Sequence, residues 1–291
     1  MTFALRRSTG EPGLELSGAH AEIAAPRHGT IAWDAFDRAA YPAAPMADAA
    51  DAWRMRAVQE YHSLALFTQL SSQVHLLGAP LDWSGAFARM IADEVRHTEL
   101  CVRMAETLGA GEPASIEPQD LHLPLQGPTL RAHVRHAVVA AFCVGETLSG
   151  RMFRRCLRAA TVPLAKGVVR AIVDDETFHG QFGWEAAALL MRPNGPTFEA
   201  ERSSLVADLP GMFRHYRRLC AADPGEAWAR NARAPEAEPD PNFGTLTLAG
   251  YARSFYDGML EDVVPGLVAI GLHEAEGAWE AASRGPADPP R

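Results

Sequence analysis

The sequence is almost devoid of lysine. Lys166 is the only one, and arginine carries the rest of the positive charge. Beside so much alanine, that bias reads as coding composition rather than function. Positive charge is also outweighed, with 27 Lys and Arg against 36 Asp and Glu and a formal net charge of −9. Such a chain lacks the basic face that general nucleic-acid or anionic-membrane binding requires. Long apolar runs are missing too. The longest on a predicted helix, Ala137 to Val144, falls far short of a membrane span. The segment from Met1 to Gly18 has two arginines but no apolar core for a signal peptide. Cysteine is sparse: Cys101, Cys143, Cys156 and Cys220 form no C-x-x-C pair. With 291 residues, 47% of them apolar, the chain can build a core without disulfide staples. Reduced thiols in a cytoplasmic protein are the expectation. Neither strand alternation nor a flavin or nicotinamide fingerprint is found.

What the chain has is helical periodicity. A first helix is expected from Asp48 or Asp51, both good caps, to Leu77, ending at Gly78 and Pro80. A second, with Asp82 as cap, runs to Gly109. A Pro-rich, acidic connection over 110–128 is long for a bundle loop and suits a crossover. A third helix spans Pro128 or Thr129 to Ala160, and a fourth runs from Pro163 to before Pro193. Beyond them lie a helix over Phe198–Ala222 kinked at Pro210, a Pro- and Glu-rich linker near Asp223–Asn242, and one or two helices over Leu246–Ala282 broken at Pro265-Gly266. The last residues, 284–291, read as frayed. The expected organisation is an irregular N-terminal arm over 1–45, a four-helix bundle over 46–192, and C-terminal helices over 193–291 packed on it. The arm, with a short ordered piece near Ile31-Ala32-Trp33, is either a disordered tail or a strap across the bundle.

All four bundle seams carry ionisable residues in their middle turns. Asp93-Glu94-Val95-Arg96-His97 is echoed by Asp175-Glu176-Thr177-Phe178-His179. Residues three apart share a helix face, so Glu94 lies over His97 and Glu176 over His179. Glu60 and Glu146 occupy the seams of the first and third helices, 34 and 30 residues before their partners, as in a pseudo-repeat of helix pairs. A carboxylate in an apolar seam is costly unless paired or bound to metal. One such E-x-x-H is a weak signal; two of them with two matched seam glutamates form the ligand set of a dinuclear site. Four glutamates nearly neutralise two divalent ions, and each histidine takes one. Asp93 and Asp175 are placed to accept hydrogen bonds from the histidine of the opposite helix.

Other residues admit two readings. Cys101 and Cys143, a turn from His97 and Glu146, are either small buried fillers or pocket lining. Leu64, Phe67, Phe142 and Gly150 either wall a pocket for substrate or oxygen or simply pack. Tyr61 and Trp184 adjoin the site helices as packing or as redox side chains. The cluster Arg151, Arg154, Arg155, Arg158 is either a solvated face or a patch for a partner.

At these residues the chain resembles the ferritin-like superfamily of di-iron carboxylate proteins. The Asp93–His97 motif is similar to the signature of bacterial multicomponent monooxygenases. About 50–190, including Glu60-Tyr61-His62-Ser63, Gly145-Glu146-Thr147 and Asp175 to Trp184, is similar to bacterial ferritin-like-domain proteins. The resemblance implies a ferritin-like four-helix bundle, six ligands, and two iron ions acting on O2. Gly150, beside Ser149, stands where those monooxygenases carry threonine. Ile172 and Val173 stand where aryl-amine N-oxygenases carry an additional histidine.

The functional expectation is an oxidoreductase that uses O2 to hydroxylate, desaturate or N-oxygenate a small organic substrate, with no catalytic group beyond the metal ligands. Iron, manganese or a mixed Fe/Mn pair suits the same ligands. A separate reductase or ferredoxin would supply electrons, and a homodimer is compatible. The alternatives are a ferroxidase, an iron-handling protein or peroxide scavenger without organic substrate, a tRNA-modifying di-iron hydroxylase, and a degenerate bundle that is only a structural partner.

Overall fold

The computed structural model describes residues 2–5, 23–193, 195–220 and 237–284. Among the described residues the fold is all-α apart from one pair of two-residue strands. No helix among the described residues is long and apolar enough to cross a membrane. The chain divides into two units. The first comprises Met1–Pro124, Ala159–Asp175 and Asp240–Thr245, and the second Leu125–Arg158, Glu176–Pro239 and Leu246–Arg291.

The first unit is built on a helix hairpin, α1 (Ala43–Leu76) and α2 (Leu81–Leu108). Helix α1 begins directly after Pro42, earlier than either aspartate cap, because Met46, Ala49 and Ala50 already have a buried face to fill. Gly78, at φ +72°, and the bond from Ala79 N–H to the Val74 carbonyl end α1. Asp82 is not the cap of α2. Pro80 holds that position, and Asp82 lies in the first turn, where its charge favours the helix N-terminus. Gly109, at φ +95°, ends α2, and the arm's Arg38 approaches where a Cβ at 109 would stand. The hairpin core is Trp53, Phe67, Leu70, Phe87, Met90 and Met104, all fully buried. Trp53 Nε1 donates to the Phe243 carbonyl at 2.8 Å, and Arg56 Nη1 donates to that of Gly244 at 2.7 Å.

Described pieces of the N-terminal arm touch this hairpin. Strand β1 (Phe3–Ala4) pairs antiparallel with β2 (Ser115–Ile116), Phe3 opposite Ile116. A two-residue pair is too short to show the alternation that the sequence lacks. A 3-10 turn at Trp33–Ala35 supplies the ordered piece, with the Arg103 guanidinium 4.3 Å over the Trp33 ring. The 110–128 connection holds β2 and a 3-10 turn, Pro118–Leu121. Residues 159–175 bring the first half of α5 (Pro163–Leu190), a single helix that continues into the second unit.

In the second unit, α3 (Leu130–Val138) is capped by Thr129, whose hydroxyl accepts from Ala132 N–H at 3.0 Å. It does not continue as a plain α-helix. Val139–Glu146 is π-helical, and α4 (Thr147–Ala159) follows without a break. Helix α6 (Phe198–Cys220) contains Pro210. Glu201, 2% exposed, accepts from Arg135 Nη1 at 2.8 Å and from the Thr129 and Thr197 hydroxyls. After α7 (Leu248–Gly258) comes a second π-helical stretch, Met259–Val263, then α8 (Val264–Ala269) and α9 (Ala275–Arg284). Pro265 does not break the chain. It sits in the first turn of α8, where no backbone N–H is needed, and the break falls at 270–274 around Gly271 at φ +97°. The tail helices pack through Phe213, Phe255, Tyr256 and Trp279, whose ring centres lie 5.7–6.3 Å apart. The Arg151 guanidinium pairs with Asp262 at 2.6 Å and Glu261 at 2.5 Å, so part of the arginine cluster has partners within the chain. The linker expected near 223–242, up to residue 236, and the end from 285 lie outside the described residues.

Candidate metal centre

Each unit brings two glutamates and one histidine together in its interior. In the first, Glu60 comes from α1, and Glu94 and His97 from consecutive turns of α2. His97 is fully buried, and Glu94 and Glu60 are 1% and 7% exposed. His97 Nδ1 lies 3.5 Å from Glu60 Oε2 and 3.8 Å from Glu94 Oε1. In the second unit Glu146 comes from the last residue of the π-helical segment, and Glu176 and His179 from α5. His179 Nδ1 lies 3.4 Å from Glu146 Oε2 and 4.0 Å from Glu176 Oε2. In both triads the histidine turns Nδ1 to the two glutamates, nearer to the one from the other helix. Within each, one ligand atom per residue lies within 4.8 Å of the others.

The 3.4 and 3.5 Å separations approach those of donors that share one cation, and the 3.8 and 4.0 Å separations are longer. Donors about 2.1 Å from one ion and about 90–110° apart stand about 3.0–3.4 Å from one another. Oxygen and imidazole donors suit a first-row divalent metal. The field around His97 points the same way. Burial alone would lower its pKa, yet Asp175 and Glu60 override that and raise it to about 9. Asp175 and Glu60 thus favour positive charge on the ring. The buried Glu/His groups could therefore hold metal.

An outer layer of charge surrounds the first triad. His97 Nε2, the ring nitrogen turned from the glutamates, lies 3.4 Å from Asp175 Oδ2. The sequence suggests a hydrogen bond to Asp175 here; at 3.4 Å the contact is an electrostatic one, which favours the ring orientation with Nδ1 toward the glutamates. Asp93 lies against guanidinium groups: Arg96 Nη1 donates to Asp93 Oδ1 and to Asp175 Oδ2, both at 2.8 Å. Arg27, from the arm, donates through Nε to Asp175 Oδ1 at 2.8 Å and through Nη2 to Asp93. Burial would raise the Asp175 pKa, but His97 and Arg96 more than offset it, and the carboxyl stays below its ordinary value.

The residues proposed as pocket lining are placed as follows. Phe67, Cys101, Phe142, Cys143 and Gly150 are buried, and Leu64 is half-buried. Phe142 meets Phe182 edge-on at 5.5 Å, and the Cys143 thiol faces the Gly183 carbonyl at 3.7 Å. Both pack the π-helical segment onto α5, at Gly183, whose missing Cβ makes room for Phe142. A Cβ added at Gly150 would stand 3.8 Å from that of Glu176. Trp184 Nε1 donates to the Thr147 hydroxyl at 3.1 Å, and Tyr61 meets Phe3 edge-on at 6.0 Å.

Three site features escape the sequence reading. Arg96 is visible inside its motif, but its bridging of two aspartates is not. Arg27 and Asp175 are 148 residues apart, and no local pattern joins them. Tyr216 donates to the carbonyl of Ala140 within the π-helical segment at 2.8 Å, across 76 residues. Gly145 permits that approach, since a Cβ there would lie 2.8 Å from the Tyr216 hydroxyl. No protein-family model, no curated protein and no solved structure matches this chain.

Proposed function

We propose that this protein is a ferritin-like di-iron carboxylate oxidase or oxygenase acting on a small organic substrate. In this reading α1, α2, the α3–α4 rod and α5 form the four-helix bundle, with Glu60, Glu94, His97, Glu146, Glu176 and His179 as ligands. The observation that carries it is the doubled triad: two sets of Glu, Glu and His, buried, with His Nδ1 facing both glutamates in each. Asp175, which orients His97, and Glu176, which faces His179, are neighbours on one helix.

Two ferrous ions, when bound, would supply the electrons and open coordination positions for reaction with O2. The chain supplies the rest. Four carboxylates match the charge of two divalent ions, and Asp175 keeps the His97 imidazole aimed at its glutamates. Phe67 and Phe142 are fully buried. An external reductase or ferredoxin would return electrons, because the sequence has no flavin or nicotinamide fingerprint.

The test is anaerobic Fe(II) titration followed by exposure to O2. The expected result is two Fe(II) bound per chain and O2 uptake stoichiometric with that iron. Less than one Fe(II) per chain, unchanged by Glu94→Ala and Glu176→Ala, would overturn the reading. Iron accumulating well beyond two per chain would overturn it in favour of storage.

A further inference from the structure

The two motifs differ in one chemically important place. Three residues after its aspartate, the first has Arg96 and the second has Phe178. Arg96 is 5% exposed, and one of its nitrogens serves both Asp93 and Asp175. Those carboxylates are 0% and 1% exposed, so each needs a buried or closely held positive partner. The motifs supply a single buried arginine for the two. Arg89, with a side chain 40% exposed, also lies 3.7 Å from Asp93.

A second guanidinium arrives from outside the helices. Arg27 holds Asp175 through Nε and Asp93 through Nη2. The same segment is fastened once more, by Arg96 Nε donating to the Ala25 carbonyl at 2.9 Å. Arg27 thus grips the two aspartates that Arg96 grips. Its side chain remains 35% exposed, and the residues around it are not helical beyond Ala24. Asp175 in turn is 3.4 Å from His97 Nε2, so whatever fixes Asp175 fixes the imidazole.

We infer that Arg27 is a positioning residue that replaces the arginine missing at Phe178, and that the N-terminal segment thereby latches the metal in the Glu60, Glu94, His97 triad. The inference rests on the metal-binding reading above. Loosening the latch frees Asp175 to rotate and lets the His97 ring turn, so a bound ion leaves faster. An arginine at 178 would stand three residues from Asp175 on one helix, as Arg96 stands from Asp93, and would supply the missing charge from within the motif.

The experiment loads the full-length protein with Co(II) and follows its visible d–d spectrum during challenge with EDTA. Arg27→Ala is expected to release Co(II) about 10–100-fold faster than wild type, the range that outer-layer partners of ligating histidines command. Phe178→Arg in the Arg27→Ala background is expected to restore slow release and the wild-type spectrum. A general loss of stability in Arg27→Ala would not be rescued that way. Uptake with release within twofold of wild type in Arg27→Ala overturns the role of Arg27 and leaves the metal reading standing. Absence of Co(II) uptake by wild type overturns both. Should Arg27→Ala fail to fold, hydrogen exchange at the amides of Ala24, Ala25, Arg27 and His28 in wild-type protein reads the same coupling. Binding and latching are reciprocal, so Co(II) slows exchange if the latch exists, and unchanged exchange overturns it.

Discussion

The two triads have the same chemistry on different backbones. Glu60, Glu94 and His97 project from two uninterrupted α-helices whose short connection ends in ordinary capping geometry. Glu146 closes an eight-residue π-helical segment, while Glu176 and His179 sit on a regular helix. Widening the helical turn shifts every later side chain around the axis relative to an α-helix, which lets a seam carboxylate be aimed independently of the core face before it. The outer charge also differs. The first triad's surroundings include Arg96, Arg27, Asp93 and Asp175. Around the second, Tyr216 anchors the π-helical segment through the Ala140 carbonyl. The contacts of the first triad include a charged outer layer, and those near the second include a backbone anchor.

The comparison can be broken most severely at the histidines. His97→Ala and His179→Ala should each remove about one Fe(II) per chain from the anaerobic titration, and the double variant both. If either single change abolishes all binding, the triads act as one unit rather than as two. The next largest effect concerns the second unit's scaffold. Glu201→Ala leaves Arg135 charged and fully buried, and should destabilise the protein by about 3–5 kcal/mol in chemical denaturation. The same pair gives a pH signature. Burial raises the Glu201 pKa, but Arg135, Thr129 and Thr197 together bring it below its ordinary 4.5. A depressed carboxylate contributes stability that is fully present above the unfolded value and is lost as pH falls through the folded one. Wild-type denaturation midpoints should therefore decline below about pH 4.5, and Glu201→Gln should flatten that decline. The smallest change sharpens the contrast between the triads. Tyr216→Phe removes one hydrogen bond, about 0.5–1.5 kcal/mol. It should weaken the metal held by Glu146, Glu176 and His179 more than the one held by Glu60, Glu94 and His97. Equal weakening in a two-site competition titration would show that the π-helical segment needs no such anchor.

Much of the site was legible because a charge in an apolar seam is expensive. Glu60, Glu94, Glu146 and Glu176 break otherwise apolar helix faces, and a periodicity reading finds them without structural help. The bounds of α5 were legible for a related reason, since Pro163 and Pro193 punctuate a long periodic stretch. The π-helical segment was not. Val139, Ala141, Phe142, Cys143 and Val144 are apolar on every side and all buried, so no polar face marks the phase of the turn. Nor was the early start of α1, because small residues such as Ala43, Ala49 and Ala50 carry little hydrophobic signal. Arg27 lay in a stretch that reads as irregular, and its partners are 66 and 148 residues away.

The grip of α1 on residues 243 and 244 bears on the order in which the molecule can be made. Trp53 and Arg56 give their side-chain protons to carbonyls 190 and 188 residues downstream. At a ribosomal pace of about 5–20 residues per second, roughly 10–40 s separate the emergence of these donors from that of their acceptors. During that interval the hairpin stands as a nascent intermediate, with the buried end of α1 still waiting for its seal. Translation arrest before residue 240 should leave that end open to protease, and release of the full chain should close it.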